Sequence, residues 1–157
     1  MGVSEFLVEL TMNKAIIAFV IAWFIAQVLK TFIHLLITKK FALERMIGSG
    51  GMPSSHSASV CALATYVAMA NGANSVEFAI AISFAMVIMH DATGVRREAG
   101  NHAKILNKMI ESFKHIAEEG DEATVEEKLK EFVGHTPLQV FAGAILGIVV
   151  GVIVGIN

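Results

Sequence analysis

Thr136-Pro-Leu-Gln-Val-Phe-Ala-Gly-Ala-Ile-Leu-Gly-Ile-Val-Val-Gly-Val-Ile-Val-Gly-Ile156 is the stretch that decides the fold class. Of its 21 residues only Thr136 and Gln139 are polar, and from Val140 onward no face of a helix would be polar. A helix on the surface of a soluble domain keeps a polar side, whereas a membrane-spanning helix needs about 20 mainly apolar residues. Working outward, residues 15–37 give 23 positions interrupted only by Gln27, Lys30, Thr31 and His34. Residues 76–89 are apolar apart from Glu77 and Ser83, and residues 57–70 are mostly Ala, Val, Met and Ser, long enough to cross if extended back to Ser54. The reading is a single all-α membrane domain of four spans, at 15–37, 54–70, 76–91 and 136–156. Residues 1–12 are expected to form a short interfacial helix with Phe6, Leu7 and Leu10 on one face.

Composition agrees. The chain has 157 residues, 55% hydrophobic and 17% charged, against about 25% charged in soluble domains. A net charge of −2 argues against a nucleic-acid partner, and a single cysteine, Cys61, excludes a disulfide framework or a cysteine metal cluster. The cations are unevenly placed. Lys39, Lys40 and Arg45 follow the first span, and seven of the remaining Lys and Arg, from Arg96 to Lys130, separate the third from the fourth. The connection at 71–75 has none. With four spans both basic loops fall on one side, which the positive-inside rule makes cytoplasmic, in the cell membrane. The loop at 96–131 reads as charged, solvated helix. Gly143, Gly147, Gly151 and Gly155 form a stripe that lets another helix approach closely. Packing against the Ala/Ser-rich second span is the first expectation for it, and homodimerisation the alternative.

Three polar clusters lie on the basic side. In Gly48-Ser-Gly-Gly-Met-Pro-Ser-Ser-His56-Ser57, Pro53 suits a helix start and Ser54 or Ser55 can cap it. The exposed N–H groups and positive dipole end of such a start suit an anion, with His56 in the first turn. In Gly134-His135-Thr136-Pro137-Leu138-Gln139, His135 and Gln139 are four apart and can share a face. A histidine held by an acceptor is a common arrangement for a nucleophile or base. In His90-Asp91-Ala-Thr-Gly94-Val-Arg96-Arg97, Asp91 is either a salt-bridged interface anchor or half of a phosphate site with arginine donors. Lys30, in a polar stripe with Gln27 and His34, either faces the bundle interior or snorkels to the interface. A metal site built from His90, Asp91 and His102 is a lesser alternative, since no ligand-spacing motif is present.

These clusters together resemble the divergent PAP2 family, small membrane proteins related to type 2 phosphatidic acid phosphatases and, in their anion site, to vanadium haloperoxidases. The residues that carry the resemblance are Met52-Pro53-Ser54-Ser55-His56-Ser57, the run from Asp91 to Arg97, and Gly134-His135-Thr-Pro-Leu-Gln-Val-Phe-Ala-Gly-Ala144. The resemblance implies a PAP2-like core and a metal-independent phosphatase needing no cofactor. It implies that Pro53-Ser54-Ser55-His56 stands for P-S-G-H, in which Ser holds phosphate and His is the general acid. It further implies that His135 is the nucleophile and that Arg96 or Arg97 binds phosphate. Lys39 or Lys40, with Arg45, is the nearest counterpart of the first superfamily motif. Gln139 stands where the superfamily has an Asp beside the nucleophile, and Asp91 is a candidate to supply that charge. The expected function is hydrolysis of a lipid phosphate or diphosphate through a phosphohistidine. The alternative is a lipid-phosphate binder, transporter or scaffold that retains the anion site.

Overall fold

The computed structural model describes residues 2–39, 51–117, 129 and 134–157, and among these every regular element is helical. In chain order they are α1 (Val3–Met12), α2 (Lys14–Thr38), α3 (Ser55–Asn71), α4 (Val76–Thr93), α5 (Val95–Ala117) and α6 (Pro137–Ile156). Each start is encoded locally. Asn13 caps α2, Ser54 caps α3, Ser75 caps α4 and Thr136 caps α6, each side chain accepting backbone N–H groups of the first turn. α1 forms as expected, with all its residues exposed.

Among the described residues, three helices are long and apolar enough to cross a membrane: α2, the helical stretch Val76–Ser112 that begins with α4, and α6. Their outer faces are apolar and open: Phe24 and Phe32 on α2, Phe84 and Val87 on α4, Phe141 and Ile148 on α6 are all about half exposed or more. So much contiguous apolar surface suits hydrocarbon as the solvent rather than water. The chain is a membrane protein. The fourth expected span, α3, has 17 residues and a length of about 25 Å, short of the roughly 30 Å hydrocarbon thickness.

α3 is nevertheless the centre of the bundle, packed against α2, α4 and α6. It can sit there because its side chains are small: Ser57, Ala58, Ser59, Ala62 and Ala64 are buried. The glycine stripe of α6 lies against it. A Cβ on Gly143 would strike the Ser54 carbonyl, one on Gly147 the Ala58 carbonyl, and one on Gly151 would come within 2.7 Å of the Ala62 carbonyl oxygen. Within the chain, therefore, the stripe serves the α3–α6 contact, and backbone-to-backbone approach replaces the large side chains of a water-soluble core. On the α2 side Ala18, Ala22 and Ala26 complete the same seam.

The C-terminal part of α2, the start of α3, the end of α4 and the start of α6 meet at one end of the bundle: Lys30 lies against Gly51, and the residue before the α6 cap donates its N–H to the Ala92 carbonyl. The hydrogen bond from Ser54 N–H to the Gln139 carbonyl, 3.0 Å, ties the starts of α3 and α6 together.

Candidate active site

His135 is 2% exposed, although it precedes a helix rather than lying within one. Its backbone N–H donates to the Ala92 carbonyl near the end of α4 at 3.0 Å, fixing the residue across the bundle. Its ring Nδ1 lies 3.1 Å from Gln139 Oε1. The same oxygen accepts the Thr136 backbone N–H at 3.1 Å, while the Gln139 N–H donates to Thr136 Oγ1. This reciprocal cap determines a protonation state. The Thr136 N–H can only donate, so it requires the amide oxygen, not the amide nitrogen, on that side. An amide oxygen can only accept, so His135 Nδ1 must carry the ring proton. The lone pair of the neutral imidazole is thereby placed on Nε2, which is buried and has no hydrogen-bond partner.

Burial pushes the His135 imidazole below its usual range. The hydrogen bond to Gln139 and the nearby Gly51 backbone act in the other direction, and the charges of His56 and Lys30 add to the lowering. The neutral form with a free Nε2 is thus the one that the surroundings favour near neutral pH.

His56, in the first turn of α3, faces His135 edge-on with ring centroids 6.0 Å apart. Its Nδ1 is likewise buried without a partner. Arg96, Lys30 and Asp91 are all within electrostatic reach of His56. Arg96 Nε donates to Asp91 Oδ2 at 2.5 Å, and both side chains remain partly exposed. Asp91 is therefore engaged by Arg96, while Gln139 is the acceptor at His135. Lys30 is 3% exposed, and its stem lies against Gly51, where a Cβ would come within 2.7 Å of Lys30 Cδ. Gly51 has φ +89°, a conformation that side chains rarely adopt.

The site residues read from the sequence are thus partly gathered. His56, His135 and Gln139 meet, and Lys30, Arg96 and Asp91 lie within electrostatic reach of His56. Ser54 is fully buried, but its hydroxyl is engaged in capping, accepting from the Ser57 N–H at 3.3 Å and the Ser57 hydroxyl at 3.1 Å. Ser55 is buried one residue further on. Arg97 is exposed, with its backbone pressed under Gly134, so the arginine that acts on His56 is Arg96. Lys39 is exposed in a left-handed cap at the end of α2, about 13 Å along the helix from Lys30. Lys40, Arg45 and the charged run from Glu118 to Lys128 lie outside the described residues. His90 and His102 are exposed, and among the described residues no group of three or more His, Cys, Asp or Glu could hold a metal ion. Sequence reasoning missed three backbone contributions: the Ala92 carbonyl, Gly51 beneath Lys30, and Gly134 against the Arg96–Arg97 backbone. Only the glycines left a trace, as small residues inside quoted motifs.

Comparison with known proteins bears on this geometry. The family model described as "Divergent PAP2 family" matches residues 11–150. A Bacillus subtilis (strain 168) protein described as "Uncharacterized membrane protein YuiD" is 40% identical over 146 residues, covering 89% of this chain and 92% of that protein. No solved structure matches the chain.

Proposed function

Because the chain belongs to the divergent PAP2 family, we propose that it is a membrane phosphatase acting on a lipid phosphate or diphosphate through a phosphohistidine at His135. The observation that carries this reading is the unpartnered His135 Nε2, made the lone-pair nitrogen by the Thr136–Gln139 cap. The phosphate would sit between the two histidines, its charge met by Lys30 and Arg96 and by the N-terminal ends of α3 and α6. His135 Nε2 attacks phosphorus as the P–O bond to the lipid breaks, and protonated His56 gives its proton to the leaving oxygen. A water then attacks the phosphohistidine, His56 takes its proton, the N–P bond breaks and phosphate leaves. Both histidines return to their starting states. No step calls for a metal.

Gln139 favours a second reading, a lipid-phosphate binder or transporter. It orients His135 but brings no negative charge to stabilise a positive phosphoimidazole. Phosphate release by the purified protein across a panel of lipid mono- and diphosphates separates the two. Release on at least one lipid supports the enzyme. Lipid-phosphate binding with no release on any of them supports the binder.

The proposed topology has α3 as a fourth crossing, shortened because its polar start is sunk into the bundle, and the site on the cytoplasmic side of the cell membrane. The Lys and Arg distribution supports it. In a Cys61→Ala background, Ser49→Cys and Ser112→Cys should resist labelling from outside intact cells. Strong labelling of both would reverse the orientation.

A further inference from the structure

An apolar groove of about 290 Å³ runs alongside the histidine pair. One wall is α2, through Phe19, Val20 and Trp23. The other is α4, through Phe84 and Ile88, and α3 forms the floor at Ser59. His56 closes the groove at its polar end. The backbones of α2 and α4 stay apart on either side of α3, and the groove opens sideways between them. Val20, Trp23 and Phe84 are about half exposed along that opening, which faces hydrocarbon in a membrane.

The α2 wall continues toward the site in the same helical register. Trp23, Gln27 and Lys30 follow at spacings of four and three, so one stripe of α2 passes from apolar to polar to cationic. From Phe19 to Lys30 is about 16 Å along the axis.

We infer that the ligand is a lipid phosphate with a hydrocarbon chain seated in this groove, entering sideways from the bilayer with its phosphate against Lys30, Arg96 and the two histidines. The inference rests on the phosphate reading of the site, and adds the route and the seat of the chain. Charge complementarity chooses the occupant. A neutral lipid or an apolar peptide would satisfy the groove but leave the cationic end unused.

Trp23 is the only tryptophan of the chain, so its fluorescence reports groove occupancy without turnover. The probe is hexadecyl phosphate brominated at mid-chain, added to the protein in nanodiscs of unbrominated lipid. Saturable quenching is expected, reversed by plain hexadecyl phosphate and not by hexadecanol. Lys30→Ala should weaken the apparent affinity about tenfold or more. Val20→Phe, at a half-exposed position where folding is not at stake, should weaken it about fivefold by filling the groove. Quenching that does not saturate and is equal for brominated hexadecanol, or an affinity unchanged by Val20→Phe, would overturn the inference. Saturable quenching in a protein that releases no phosphate leaves the groove standing and removes the enzyme. Equal release from hexadecyl phosphate and a short soluble phosphomonoester, without quenching, removes the groove and leaves the enzyme.

Discussion

The starts of α3 and α6 are built from the same parts and used differently. Each has a proline, a hydroxyl cap and a histidine within a few residues, and Ser54 N–H joins one start to the other. In α6 the histidine precedes the cap, and the Gln139 oxygen that completes the cap also holds its ring. In α3 the histidine follows the cap, Ser54 and Ser57 satisfy each other, and the ring is left to the pocket. The order of cap and histidine thus separates a ring with a fixed tautomer from one whose Nδ1 has no partner among the described residues. The first suits a nucleophile. The second suits a group that must give up a proton and take it back.

That difference is broken most severely by removing the held ring. His135→Ala should lower phosphate release by roughly 10³–10⁶-fold, since the covalent route is lost. His56→Ala should cost less, roughly 10²–10⁴-fold, because only proton transfer is lost. Both are read as initial rates at matched expression, and equal losses would erase the asymmetry. A smaller effect separates the neighbouring arginines. Arg96→Ala should raise KM by about tenfold or more as a phosphate contact is lost, whereas Arg97→Ala, at an exposed position, should change KM by less than about twofold. The finest test alters the cap itself. In the proposed mechanism neutral His135 attacks, and burial lowers its pKa, so the acid limb of kcat/KM should lie below the usual imidazole value of about 6.5. Gln139→Asp places a carboxylate on Nδ1, favours the imidazolium and should move that limb upward by about one unit. Activity on the alkaline side should hold or rise, unless burial of the new charge offsets the gain.

Much of this was legible in residues 136–156. Their unbroken apolar character specified a membrane helix, and four-residue glycine spacing specified a close neighbour, which is α3. His135 and Gln139 could be paired from their spacing, although the contact is made by the Thr136–Gln139 cap and not by a turn of helix, since His135 precedes α6. α3 was harder to read. With 17 residues, mostly small or polar, it has the length of neither a full span nor a loop, and its burial depends on three helices surrounding it. The choice of Arg96 over Arg97 depends on the turn at Gly94 between α4 and α5, which one-dimensional spacing does not encode. Likewise Lys30, rather than Lys39, is the lysine within electrostatic reach of the histidines, and Gly51 packs on its stem, a contact between residues 21 apart. The groove left no motif at all, since its walls come from three helices and its apolar residues look like any others in a span.

The central claim is that His135 Nε2 becomes bonded to phosphorus. The direct measurement is a rapid mix of purified protein with a lipid monophosphate labelled in its phosphate, quenched into alkali, where phosphohistidine survives, followed by mapping of the labelled peptide. The expected result is label on His135, absent in His135→Ala and accumulating in His56→Ala, in which water attack is slowed. Phosphate release without label on His135, at a rate unchanged in His135→Ala, would contradict the account.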